Sequence, residues 1–207
     1  MVLPIGDAPN PRGVPVVTYL LIAANVAIYL LVTVPLSAAR PAPGDPLLPA
    51  YVDMAWRAVD GHVSRVALQA QVSAYDLFVY RNGFRPAAPT LGALFLSLFL
   101  HAGFFHLAGN MLFLWIYGDN VERRLGGVGY LATYLGAGVA ATLAHWAGAV
   151  GSPMPVVGAS GAISGVLGCY FVWFPRNVVR LLWLFPPFFG HVFEVRARIV
   201  LGLYLVM

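Results

Sequence analysis

Ser160 stands inside Pro155-Val-Val-Gly-Ala-Ser-Gly-Ala-Ile-Ser-Gly-Val-Leu-Gly168, framed by glycines at the mouth of an apolar run. A serine so placed can act as a nucleophile. Gly158 and Gly161 let backbone approach closely and leave the hydroxyl uncovered, and a helix beginning here offers free N–H groups to an oxyanion. The same letters also permit a structural reading. Gly161-xxx-Gly165 and Ser164-xxx-Gly168 are small-residue stripes of the kind that let membrane helices pack closely, with Ser160 as a cap. The stretch is not the elbow of soluble hydrolases, which needs glycine two positions after the serine, where this chain has Ala162. A second pair, His106 and Asn110, stands four apart and so shares one face of a helix. Polar side chains in an apolar setting face a cavity or a functional group, or else bond two helices together. Metal chemistry has little to build on: His-x3-His spacing is absent, and no carboxylate falls within an expected span. Cys169, the single cysteine, lies in an apolar segment, which excludes a disulfide framework and a cysteine metal site. No cofactor and no metal are expected.

The elements that must position these residues are membrane helices. The chain has 207 residues, of which 60% are hydrophobic and 10% charged, and its mean hydropathy of +0.78 does not describe a soluble surface. The net charge of +4 comes entirely from scattered arginines flanking apolar runs, so nucleic-acid binding is not expected. A first span is read from Val14 to Leu36, too long for a signal peptide. Residues 37–90 read as a long outer loop, with mixed charge from Arg40 to Pro89. Within it Trp56, Val59, Val63, Val66 and Ala70 recur at helical spacing, which predicts an amphipathic helix at the interface. Leu91 to Tyr117 divides into a half-buried segment and a helix from about Ala102 to Gly118, ended by Asp119-Asn120 and Arg123-Arg124. Further spans are expected from about Val128 to Ala147 and from Val157 to Phe174, then an apolar loop from Arg180 through Pro186-Pro187, and a fifth span from about Val195 to Met207.

Arginines in the short loops set the orientation. Arg12, Arg123-Arg124, and Arg176, Arg180, Arg196 and Arg198 all fall on one side, which reads as cytoplasmic. His106, Asn110 and Ser160 then lie toward the opposite, outer side.

His101-Ala-Gly-Phe-Phe-His106-Leu-Ala-Gly-Asn110, Gly118-Asp-Asn-Val-Glu122 and Gly158-Ala-Ser-Gly161, in this order, resemble the rhomboid family of intramembrane serine proteases. Thr18 to Asn25 and Gly83-Phe-Arg-Pro86 are also similar to the family's pattern. The resemblance covers nearly the whole chain. It implies an all-α, polytopic transmembrane bundle of rhomboid type, about five spans of an expected six or more, forming a single domain over 1–207. It implies a serine endopeptidase acting on transmembrane-protein substrates, through a Ser-His dyad with no aspartate, in a cavity open to the outer side. Ser160 would be the nucleophile in its frame of Gly158 and Gly161, and His106 and Asn110 would stabilise the oxyanion.

His101 matches a position that orders the loop entering span two, or else caps the helix. The family's general base is a histidine on a sixth span. His145 and His191 are poorly placed for that role, so the base is expected to be absent from this chain, and the domain to be C-terminally incomplete. Ser164 stands where some members carry an aromatic. The alternative is a non-catalytic rhomboid-like protein that binds or escorts transmembrane clients. Either way the expected setting is an integral protein of a bacterial inner membrane, with the bilayer and membrane substrates as partners and a cytoplasmic N-terminus.

Overall fold

The structure, a computed structural model, describes residues 2–187 and 189–206. In order it runs β1 (Val2–Ala8), α1 (Val16–Ile28), a π-helical turn (Tyr29–Thr33), α2 (Val34–Ala38), α3 (Leu48–Ala58), α4 (Arg65–Gln71), α5 (Ala74–Asn82), α6 (Leu91–Leu96), α7 (Phe104–Gly148), α8 (Ser160–Trp173), β2 (Val178–Trp183), β3 (Val192–Arg196) and α9 (Ala197–Val206). Val16–Ala38 and Phe104–Gly148 are long and apolar enough to cross a membrane, whereas α8 is apolar but shorter. Residues 1–23, 108–138 and 160–207 form one compact unit, and residues 24–107 and 139–159 form another.

In the first unit the expectation of an all-α chain is corrected: the chain is mostly helical but carries a three-stranded antiparallel sheet in the order β1-β2-β3. Val2 pairs with Trp183, Asp7 with Val179 and Val178 with Arg196. The apolar loop expected after Arg180 is therefore a β-hairpin. Val178-Val-Arg-Leu-Leu-Trp and Val192-Phe-Glu-Val are rich in β-branched and aromatic residues, too short for helices, and bracket the turn-forming Pro186-Pro187. Pro4 sits on β1, an edge strand, where a missing N–H costs least.

The break expected at Asp119-Asn120 is also corrected, because the helix runs through it to Gly126, whose φ of 72° is the one non-helical position within α7. Polar residues ended the predicted helix too early, since each of these finds a partner without stopping it. Asn120 Nδ2 donates to Asp7 at 2.9 Å. The Glu122 carboxylate accepts from Val17 N at 2.9 Å, Thr18 N at 2.8 Å and Thr18 Oγ1 at 2.8 Å. It thereby satisfies the orphaned donors at the start of α1 and places negative charge at the positive end of that helix. Glycines 118 and 127 let these pieces close up: a Cβ on Gly118 would lie 3.0 Å from Thr18, and one on Gly127 would lie 3.0 Å from Val17.

In the second unit the single amphipathic helix expected from Trp56 to Ala70 is corrected to two, α3 and α4. Asp60 and Gly61 both take positive φ and break it, and the Trp56 ring lies over Gly61 with only 2.8 Å for a Cβ. Val52, Val72 and Leu77 make a small core under this loop, with Leu47, Leu48, Tyr51 and Leu68 packed on it. Asp76 and Ser73 form a capping box at the start of α5. Met207, the end of the expected last span, lies outside the described residues.

Candidate active site

Ser160 is the first residue of α8. It is exposed, and its hydroxyl makes no hydrogen bond among the described residues. The helix starts there because Gly158 takes a φ of +128°, a conformation that a side chain rarely adopts. The stretch leading to it is braced within the second unit. Gly158 N donates to Ser97 O at 2.8 Å, and Phe84 and Val156 exchange backbone bonds at 3.2 and 2.8 Å as an isolated antiparallel bridge. Gly83 makes that approach possible, since a Cβ there would meet Pro155 and Val157 at 3.1 Å. Ala87 N reaches Ser152 O at 2.9 Å, and Trp146 Nε1 donates to Pro86 O at 3.1 Å. Gly83-Phe-Arg-Pro86 is thus the brace of the segment that ends at Ser160. Its sequence suggested no such role, because the pairing joins residues more than seventy apart.

The packing reading of α8 holds at one position and not at the next. A Cβ on Gly165 would fall 2.2 Å from Ala137 Cβ, so this glycine lets two helices of the first unit touch, whereas nothing lies within 4 Å of one on Gly168. Ser164 turns its hydroxyl back onto Ser160 O at 2.8 Å, an i−4 bond that occupies it.

Asn110 lies on α7 in the first unit and is buried, and its Nδ2 has no hydrogen-bond partner. A helix-gluing asparagine would be bonded across to its neighbour, and leaving a buried donor unsatisfied costs about 1–3 kcal/mol. An amide held in this way can donate to a group that arrives later. His106, in the first turn of α7, is exposed. In the second unit its ring meets that of His101 edge-on, with centroids 5.2 Å apart. His101 precedes the helix and is almost wholly buried. Gly103, not His101, is the N-cap of α7, so the capping reading fails. The backbone of His101 accepts from Tyr75 Oη at 2.8 Å, which ties the outer loop to the entry of α7. Burial, aided by the charge of His106, pushes His101 down to about 4 and keeps it neutral at pH 7. Among the described residues no group of three or more His, Cys, Asp or Glu side chains could hold a metal ion.

Comparison with known proteins places these features in context. A family model described as Rhomboid domain matches residues 89–206. The chain is 37% identical over 94 residues to Rhomboid protein 1, mitochondrial, of Saccharomyces cerevisiae, covering 44% of this chain and 27% of that protein. It is 37% identical over 107 residues to the presenilin-associated rhomboid-like protein, mitochondrial, of Homo sapiens (50% and 28%). It is 49% identical over 69 residues to rhomboid protease GluP of Bacillus subtilis (33% and 13%). The chain thus spans under a third of the length of these three relatives. No solved structure matches.

Proposed function

Because the chain belongs to the rhomboid family, and so is a membrane protein, we propose that it carries the nucleophile and oxyanion donors of an intramembrane serine endopeptidase. The observation that carries this reading is the pairing of an unbonded, exposed Ser160 at a helix start with a buried, unpartnered amide on Asn110. Ser160 Oγ attacks a peptide carbonyl; the Ser160 N–H and Asn110, both of the first unit, receive the oxyanion that develops, each donor contributing a few kcal/mol to the transition state, and the family resemblance gives His106 a donor role as well. The substrate is a transmembrane protein whose helix unwinds near the cut, since a helix hides its carbonyls in its own hydrogen bonds. The mitochondrial names of two relatives leave the compartment open. The reading favours a bacterial inner membrane with Arg12, Arg123-Arg124 and Arg180 on the cytoplasmic side, residues 37–90 outside and about five spans in a single domain.

Such a dyad needs a histidine base, and this reading gives that role to none of the five present. His106 is a donor, His101 is buried and neutral, and His62, His145 and His191 are exposed on the outer loop, the end of α7 and the β-hairpin. Residues 1–207 alone are therefore expected not to label with a fluorophosphonate; stoichiometric labelling of Ser160 would move the base to His145. The decisive experiment replaces Ser160 by alanine in the full-length protein, reconstituted with a model transmembrane substrate. Loss of all cleavage with an unchanged melting temperature is expected. Retained cleavage would discard the nucleophile, and a wild type that binds but never cuts the substrate would favour the client-binding alternative.

A further inference from the structure

Two cavities of the first unit meet. One, of about 360 Å³, is lined by Asp7, Asn10, Asp119 and Arg180 together with Tyr19 and Trp115. The other, of about 450 Å³, is lined by Tyr19, Ile22, Ala108, Met111, Leu112 and Trp115. Tyr19 and Trp115 belong to both, so a half-open polar chamber passes into a shallow apolar groove along α1 and the first half of α7. The polar chamber's volume lies in the range of ordinary ligand sites, roughly 300–1,000 Å³, and the apolar groove beyond it is open along one side.

We propose that this site holds one phospholipid with a zwitterionic, primary-amine headgroup, its phosphate on Arg180, its ammonium on Asp119 and one acyl chain in the groove between Tyr19, Ile22, Met111, Leu112 and Trp115. Charge selects the headgroup. The chamber offers one guanidinium and two carboxylates, so a purely anionic lipid meets repulsion beside its one favourable contact, while a headgroup bearing both signs is matched at each end. Asp7 is already engaged by Asn120 and Tyr170. Asp119 accepts from Asn120 through Oδ1, and a second carboxylate oxygen remains for an ammonium. A quaternary ammonium has no N–H to donate there.

Arg180 is exposed, lies over Gly6 with 3.0 Å to the place of a Cβ, and takes part in neither ion pair found among the described residues. The half-exposed Tyr19 and Trp115 stand where polar lining gives way to apolar, the position that amphipathic rings occupy at a membrane interface. A transmembrane helix laid in the same groove brings no charged groups to Arg180 and Asp119, whereas a zwitterionic headgroup brings one of each sign, which is why a lipid is assigned. The site does not depend on Ser160 being a nucleophile.

The test is lipid retention by the full-length protein, purified in mild detergent, offered equimolar phosphatidylethanolamine, phosphatidylcholine and phosphatidylglycerol, and weighed by native mass spectrometry. Phosphatidylethanolamine is expected to be retained about fivefold over either competitor, equivalent to about 1 kcal/mol. Asp119→Asn and Arg180→Gln should each erase that preference, and Trp115→Ala should weaken all three lipids, scored only on monodisperse folded protein. Ser160→Ala should change nothing. Equal retention of the three lipids by wild type, a preference for phosphatidylglycerol, or stoichiometric displacement by a polyleucine peptide would each overturn the assignment, and the first needs no variant to fold.

Discussion

Two stretches of one helix handle their buried polar groups in opposite ways. Near residue 120 of α7 they are satisfied: Asn120 bonds to Asp7, and Glu122 takes three donors from the start of α1. Near its beginning, Asn110 Nδ2 is buried with nothing to donate to. Burial alone does not distinguish the two, since Asn110 and Glu122 are each 8% exposed. The state of their hydrogen bonds does. A satisfied group stabilises the fold, whereas an orphaned donor spends stability and is retained where something outside the fold completes it. Orphans are not all equal, however: Tyr117 Oη on the same helix is also buried without a partner, yet its ring packs edge-on against Tyr170 at 4.9 Å and its bulk alone accounts for its place.

The contrast can be broken at either stretch. The largest effect is expected for Asn110→Ala, which should lower kcat by about 10²–10³ as one lost oxyanion donor does, with a melting temperature equal to or above wild type; a stability loss with normal turnover would make Asn110 structural. Glu122→Gln should do the reverse, costing about 3 kcal/mol, as two charge-assisted bonds weaken, with no specific loss of kcat in the protein that remains folded. Thermal unfolding in detergent beside a cleavage assay separates the two.

Asp7 sharpens the comparison through pH. Burial raises its carboxyl from 3.8 to about 6, so the folded state binds its proton more readily than the unfolded one. Its contribution to stability is then present at low pH and is lost as pH rises from about 4 through 6. Asp7→Asn should be the more stable protein at pH 7, by something on the order of 2 kcal/mol, and the advantage should vanish at pH 4; an advantage independent of pH would show that Asp7 is not protonated in the fold. The smallest effect belongs to Tyr117→Phe, expected within about 0.5 kcal/mol of wild type because a donor without a partner is removed and the shape is kept. A clear loss of stability or of turnover would show that Tyr117 Oη has a partner in the working protein.

The candidate residues were legible because chemistry constrains letters locally. Ser160 between glycines and His106 four before Asn110 are readable within a few residues, and Gly158 takes the positive φ that its type invites. The apolar helices were legible from hydropathy, and two of them, Val16–Ala38 and Phe104–Gly148, are long and apolar enough to cross a membrane. What escaped depended on partners distant in sequence. The helix was stopped at Asp119-Asn120 because polar residues usually mark an end, and only Asp7 and the start of α1 explain why they do not. The sheet escaped for the same reason, since an apolar hexamer such as Val178–Trp183 becomes a strand only when Val2–Ala8 lies alongside.

That pairing has a consequence for biosynthesis. Residue 7 is translated early, yet its strand partners are residues 178–183 and its Tyr170 bond spans 163 positions. The first strand therefore waits, unpaired, until β2 has been made after α8, because contacts so distant in sequence form only when both ends exist. Closure of the sheet is then a late event, because β1 finds its partner only after α8 has been made.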